Sequence, residues 1–515
     1  MKKIYKILTL AVVPLFLNSC FNLEQEPFKE LSEKNSALTV QDAQYWVNGM
    51  YNTLRDNVYG KAMYSSDVQV DFLNMAQREG VSDLFINLQN WSEFVSTNAT
   101  TASIWQSYFS AIQNINIALE QIPSIPIPQD NYNNDSKQIK HNLGELYLGR
   151  AYYYTYLVTH YCPAYDESSP YGLPLLTGVT INNMPQRSSV KETYNFILAD
   201  IARAEERLND VTGRAGMTTF SKDAVAALKA RVLLYKGDWT AAYTTATSII
   251  TSRYALSTTE NQLKDIWEID KEDESITQLY AAYSSGVNAS SIELPSTDNG
   301  RYYIAAELNW RTRRISAYTP SVIPTQTFVD LFDNADFRKN VYIKKLFVNN
   351  GQNKYDNIYL VYKYPDNAQL KSSPYASPTY MHKPKVFRIA EMYLIAAEAA
   401  YKKGDQANAK IYLDRLRTAR GIGSVTYTDL WTEIQNERNR ELAFEGFRMI
   451  DIKRWGLDIV RGTPQNINTI KTDPANQYYQ MNVPAASAYK LTWPIDPENI
   501  RYEQGRANWQ QNPGW

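Results

Sequence analysis

The chain has 515 residues, 44% apolar and 13% aromatic, enough to bury a large core without cross-links. Its 53 basic and 54 acidic side chains nearly cancel. That balance excludes a general nucleic-acid binder, which carries a basic excess, so no nucleic-acid partner is expected.

At the start, Lys2, Lys3 and Lys6 precede an apolar stretch from Ile7 to Leu17, then Asn18, Ser19 and Cys20. A cationic head, a short apolar segment and small or polar residues before the cut describe an export signal. Broken by Pro14, the stretch is too short to span a bilayer as a helix. Leu17-Asn18-Ser19-Cys20 resembles a bacterial lipobox, in which Cys20 becomes the lipidated first residue; an ordinary secretory signal containing a cysteine is the alternative. Several acyl chains on Cys20 would make a durable anchor. Cys162, the other cysteine, then has no partner for an intramolecular disulfide. The expected division is 1–19 as signal peptide, 20–38 as lipidated N-terminus and tether, and 39–515 as a single domain. Glu24 and Glu26 in the tether read equally as an outer-leaflet address or a solvated spacer.

Between Ser103 and Ile122, the residues Ile104, Tyr108, Ile112, Ile115 and Leu119 recur at helical spacing, and Pro123 stops the pattern. Leu143, Tyr147, Ala151, Tyr154, Leu157 and Tyr161 make a second stripe, ended by Pro163. Ser189 with Glu192 reads as a capping box opening a third helix through about Leu208. Val225, Leu228, Val232 and Tyr235 line a fourth. Trp105, Tyr108 and Trp239 fall on such faces and are read as core.

Two later segments match each other. Aligning Gly237 with Gly404 also aligns Lys236 with Lys403, Asp238 with Asp405 and Ala242 with Ala409. Each reads as helix, Gly-Asp turn, then helix with a small residue at the crossing, a tetratricopeptide-like geometry. The expected fold is mainly α: tetratricopeptide-like helical pairs over about 39–251 and 385–515, with a long, irregular, loop-rich insert and small hairpins over about 252–384. The insert is rich in Ser, Thr, Asn, Tyr and Pro, with a short amphipathic piece at 326–332 and strand-like Tyr359-Leu360-Val361-Tyr362.

The C-terminal half carries a longer pattern. It runs from Arg388-Ile389-Ala390-Glu391-Met392-Tyr393 through Gly404-Asp405 and Leu413-Asp414-Arg415-Leu416-Arg417. It continues through Glu437-Arg438 and Glu441-Leu442-Ala443-Phe444-Glu445-Gly446-Phe447-Arg448 to Asp451-Ile452-Lys453-Arg454-Trp455-Gly456. With Arg150-Ala151-Tyr152, Gly172-Leu173-Pro174, Trp493-Pro494-Ile495-Asp496-Pro497 and Asn512-Pro513-Gly514-Trp515, this resembles the SusD/RagB family of outer-membrane lipoproteins over nearly the whole chain. The resemblance implies a surface-exposed, non-catalytic, lipid-anchored receptor in the outer membrane. It would bind an oligosaccharide, or in some branches a peptide or another nutrient, and deliver it to a SusC-like TonB-dependent transporter. No cofactor is implied.

The three histidines, His141, His160 and His382, show no paired metal spacing, so no metal site is expected. Glu437 and Glu441, one helical turn apart, suggest the carboxylate pair of a retaining glycosidase. The arginines interleaved with them favour an ion-pair network instead, with Glu437 to Arg440 and Glu445 to Arg448 as i, i+3 pairs. No catalytic residue is therefore expected. Asp270, Glu272, Asp273 and Glu274 read as a solvated charged face or, alternatively, a calcium site. Sugar binding wants exposed rings flanked by polar groups. The candidate ligand contacts are Trp91, Arg78, Tyr302, Tyr303, Trp310 and Arg311, with Tyr280, Tyr283 and Tyr318 also outside any amphipathic stripe. A lipid-anchored glycosidase and an envelope-assembly scaffold are the competing functions.

Overall fold

The computed structural model describes residues 39–77, 87–178, 185–250, 253–283, 299–309, 311, 314–372, 377–472, 480–502 and 510–515. Cys20, Arg78 and Trp310 lie outside the described residues.

Helices dominate, and their ends follow local chemistry. α1 (Val40–Val58) opens on a capping box in which Thr39 and Asp42 satisfy each other's backbone N–H groups, and α2 (Lys61–Gln69) follows after Gly60. In α3 (Ala99–Gln121) the Asn98 side chain accepts from the amides of Thr100 and Thr101. α4 (Tyr132–Tyr161) is the longest, at 30 residues. α5 (Val190–Leu208) has the expected Ser189/Glu192 capping box.

α6 (Lys222–Lys236) ends at Gly237 in the left-handed conformation, and Asp238 then caps α7 (Trp239–Ile249). The second copy repeats this: α9 (Ile389–Lys402) ends before Gly404, at φ +90°, and Asp405 caps α10 (Gln406–Ala419). The aligned Ala242 and Ala409 are both fully buried. Far apart in sequence, the copies are neighbours in space: α7 packs on α9, extending the series α4, α5, α6, α7, α9, α10. α11 (Leu430–Glu441) then packs on α9 and α10, and α12 (Arg448–Trp455) on α2.

The core is unusually ring-rich. Tyr153, Tyr154 and Tyr161 of α4 are fully buried, with Tyr108 of α3 edge-on to Tyr153 at 5.0 Å. Trp105 and Tyr108 are core, as expected, whereas Trp239 is only half-buried at the Gly-Asp turn. Arg150 ties three helices together, donating to both carboxylate oxygens of Asp200 (2.7 and 2.8 Å) and to Asn116 (2.6 Å). A Cβ on Gly172 would sit 2.3 Å from the Ser189 carbonyl, so only glycine permits that approach. Arg187 donates to Asn512 at 2.9 Å, and Asn512 donates to the carbonyls of Tyr161 and Trp493, so the chain's end is stitched to its middle.

The insert leaves and re-enters the helical body side by side. β2 (Ser275–Gln278) pairs antiparallel with β8 (Lys385–Arg388). Between them, the hairpin β3 (Ala306–Asn309)–β4 (Arg314–Tyr318) and the hairpin β6 (Ile343–Asn349)–β7 (Lys354–Val361) join in one sheet of order β3-β4-β6-β7. β5 (Val322–Pro324) pairs instead with β1 (Leu73–Met75) of the N-terminal half, and β9 (Ile459–Val460) with β10 (Asn482–Val483). The amphipathic piece is a single turn, Gln326–Val329. Before β2 lies α8 (Glu260–Glu268), which periodicity missed because its nine residues bury only Leu263, Ile266 and Trp267.

Candidate functional site

Glu437 and Glu441 sit side by side on α11 with no exposure to solvent. Arg338 donates to Glu437 at 2.8 Å and contacts Glu441 at 3.2 Å; Arg440 also pairs with Glu437 at 2.7 Å. Arg420 and Arg388 bind Glu441 at 2.9 and 3.0 Å, and the Tyr342 hydroxyl donates to it at 3.0 Å. Six carboxylates (Glu274, Asp336, Glu433, Glu437, Glu441, Glu445) face six cations (Arg338, Lys363, Arg388, Arg417, Arg420, Arg440) in one network. Burial alone would raise the Glu437 carboxyl, but Arg338 and Arg440 outweigh it and hold it down at about 2. Glu441 is likewise held well below the carboxylate range, burial being outweighed by Arg420, Arg388 and Arg338. Neither can donate a proton near neutrality, and no substrate reaches them.

Two expectations about charge need correction. Glu445 does not pair with Arg448: it takes Lys363 and Arg388, both at 2.6 Å, while Arg448 takes Asp71 at 2.6 Å. α11 ends at Glu441 and α12 begins only at Arg448, with Phe444 at φ +62° and Gly446 at φ +82° in the connection, so the i, i+3 geometry is lost. Nor do Asp270 and Glu274 lie on a solvated face. Asp270 is buried against Lys385 (2.7 Å) and His382 (3.1 Å), and Glu274 is fully buried against Arg420 (2.9 Å); only Glu272 and Asp273 meet solvent. Among the described residues, no three His, Cys, Asp or Glu side chains are grouped to hold a metal ion.

The aromatic candidates divide into an inner and an outer set. Trp91 is buried, its indole N–H donating to the Gln69 carbonyl at 3.0 Å. Tyr303 is fully buried, its ring stacked on Tyr364 at 6.0 Å. Neither offers a free ring face to solvent. Tyr302 is half-buried, edge-on to Tyr64 at 5.0 Å, and Arg311 is exposed in the turn between β3 and β4. Tyr280 is exposed, and Tyr283 and Tyr318 are half-buried.

The backbone shows how the outer set is held. Ser321 donates its N–H to the Tyr302 carbonyl (2.7 Å), and its own carbonyl accepts from Ala76 (2.9 Å). Gln77, next to Arg78, donates to the Thr469 carbonyl at 2.7 Å. One short segment before β5 therefore anchors both the single helical turn Asn299–Tyr303, which carries Tyr302, and the strand leading to Arg78. Elsewhere, a groove of about 350 Å³ between α1, α3 and α4 is lined by Tyr45, Trp46, Gly49, Met50 and Asn114, and by none of the candidate residues.

Two family models match the chain: the SusD family over residues 265–515, and a model described as starch-binding associating with outer membrane over residues 23–234. The chain belongs to the SusD/RagB family. A SusD-like protein of Formosa agariphila is 27% identical over 483 residues, covering 85% of this chain and 88% of that one. A SusD superfamily structure from Bacteroides thetaiotaomicron aligns with a TM-score of 0.73 at 23% identity, over 92% of this chain and 100% of that one. The surface glycan-binding protein A of Bacteroides fluxus aligns with a TM-score of 0.68 at 20% identity, over 92% and 99% respectively. The mainly helical architecture is thus that of the SusD superfamily. The family's sequence pattern falls largely on buried joints: Arg150, Glu391, Glu398, Arg438, Glu441, Asp451 and their partners. It is a signature of the scaffold, and it leaves the ligand face unspecified.

Proposed function

We propose that this protein is a non-catalytic glycan receptor, lipidated at Cys20, that captures oligosaccharides at the outer face of the outer membrane. It delivers them to a SusC-like TonB-dependent transporter. The ligand face is built from the residues after β1 that include Arg78, the helical turn with Tyr302, and the residues between β3 and β4, Trp310 and Arg311 among them. The observation that carries this reading is the common anchoring of the first two of these segments through Ser321, outside a helical body whose suggestive carboxylate pair Glu437/Glu441 is sealed by arginine. Membership of a family with a starch-binding, outer-membrane-associated model supports the same direction.

A peptide-capturing role is disfavoured by one feature of the sheet. The outer edge of β7 is capped at Tyr359: Gln465 accepts from its amide (2.8 Å) and donates to its carbonyl (2.9 Å), so a peptide adding as a strand there would have to displace Gln465. The test is retardation of the mature protein in gels containing neutral or acidic polysaccharides, beside calorimetry with peptides. The Tyr302→Ala/Arg311→Ala variant is expected to lose glycan binding at least tenfold with an unchanged Tm. Peptide binding without glycan binding, or turnover of a bound glycan, would overturn the reading. Co-purification of a TonB-dependent transporter from membranes checks the partner.

A further inference from the structure

The four-stranded sheet of the insert gathers several cations that form no ion pair among the described residues. On the helices, many lysines sit beside carboxylates (Lys137 with Asp210, Lys229 with Glu205, Lys264 with Glu268, Lys410 with Asp414), and single ones such as Lys402 stand over a ring alone. On the sheet, Arg314 of β4, Lys344 and Lys345 of β6 and Lys354 of β7 have no carboxylate partner among the described residues. Three of them stand over rings instead: Lys344 over Tyr362 at 4.5 Å, Lys345 over Tyr359 at 5.2 Å and Lys354 over Phe347 at 5.8 Å. Phe347 and Ile315 are exposed beside them.

Lysine on an edge strand commonly guards against aggregation, which accounts for Lys354. It does not account for Lys345, because β6 is an inner strand between β4 and β7; Lys344, one residue earlier, points to the opposite face with Leu360 and lies outside the patch. In the hairpin register Lys345 faces Tyr359 and Lys354 faces Asn349. Four residues of strand thus separate the two cations, about 13 Å at roughly 3.3 Å per residue. Cations with no partner, spaced along flat rings, suit a chain that alternates apolar ring faces with fixed negative charges.

We propose that this sheet face binds the acid groups of an anionic glycan, a polysaccharide bearing carboxylates or sulfate esters. The inference rests on the oligosaccharide-capture reading and names the substrate class for it. β3 begins three residues after Tyr303 and pairs with β4, so Tyr302 and the sheet are close enough in the chain for one extended ligand to engage both. An acidic peptide adding as a strand at β7 would have to displace Gln465 at Tyr359. A lipid surface would want a larger inserted apolar area than Phe347 and Ile315 supply.

The test uses the mature protein and the double variant Lys345→Gln/Lys354→Gln. Both are run in affinity gels containing polygalacturonate, chondroitin sulfate, or neutral xylan and amylopectin, at low and high salt. The expected result is retardation of the wild type by an acidic polymer, fading with salt, and at least tenfold weaker retardation of the variant at an unchanged Tm. Equal binding of an acidic polymer by variant and wild type overturns the proposal. Retardation by neutral polymers alone overturns it while leaving glycan capture standing; no binding to any polymer overturns both. Association with phosphatidylglycerol vesicles in the absence of acidic-glycan binding reassigns the face to the membrane and equally refutes the proposal.

Discussion

Replacing Glu441 by glutamine tests what holds the insert to the last helices. The wild-type carboxylate is fully buried and meets three guanidinium groups, Arg420 at 2.9 Å, Arg388 at 3.0 Å and Arg338 at 3.2 Å. The amide keeps the shape and one acceptor but removes the negative charge, leaving the six-to-six balance short by one. Breaking a buried ion pair on one side costs about 3–5 kcal/mol, because the remaining charge stays desolvated. At about 2.1 cal/mol/K of unfolding entropy per residue, a chain of this length loses about 1 °C of Tm per kcal/mol, so the drop is about 3–5 °C. Thermal and urea unfolding followed by circular dichroism measure it. The pH dependence supplies a second check. A carboxyl held below its unfolded value contributes its full stability above about pH 4.3 and loses it as pH falls toward the folded value. The gap between wild type and Glu441→Gln is therefore widest near pH 7 and narrows below pH 4. A loss under about 1 kcal/mol at pH 7, or a gap that widens in acid, refutes the argument.

Glu145 behaves oppositely: burial pushes its carboxyl up to about 7, although the Tyr51 hydroxyl donates to it. Its ionisation costs stability as pH rises from about 4.3 through 7, so Glu145→Gln gains stability relative to wild type at pH 8 and not at pH 4, read by Tm at both. Asp238→Ala and Asp405→Ala each remove the cap of the second helix of a pair and cost about 1 kcal/mol, with glycan retardation unchanged. Gly172→Ala drives a methyl into the Ser189 carbonyl and lowers Cm in urea by more than either cap variant.

Much of the scaffold was legible because periodicity and capping are local. The α3, α4, α5 and α6 stripes, the Ser189 box and the paired Gly-Asp turns each announce themselves within a few residues. Their spatial adjacency does not, since α7 meets α9 only after the whole insert has been made. The charged residues show a second limit. Asp270 and Glu274 share a run of acids with Glu272 and Asp273, yet they are buried by the distant partners Lys385 and Arg420. Arg448 left Glu445 because of two left-handed residues, one of them the non-glycine Phe444. The ligand face was least legible: rings that pack and rings that bind look alike in a chain with 39 tyrosines. Tyr302 and Tyr303 are adjacent, yet one reaches solvent and the other stacks inside.

The neighbourhood of α7 and α9 has an architectural consequence. Since the chain departs at Ile249 and resumes at Ile389 in touching helices, the stack is closed whatever lies between them. Doubling the length of such an excursion adds only about 0.6 kcal/mol of closure entropy. Selection is thus free to rewrite what the molecule grips, provided Glu274, Arg338 and Lys363 are retained as rivets to the frame.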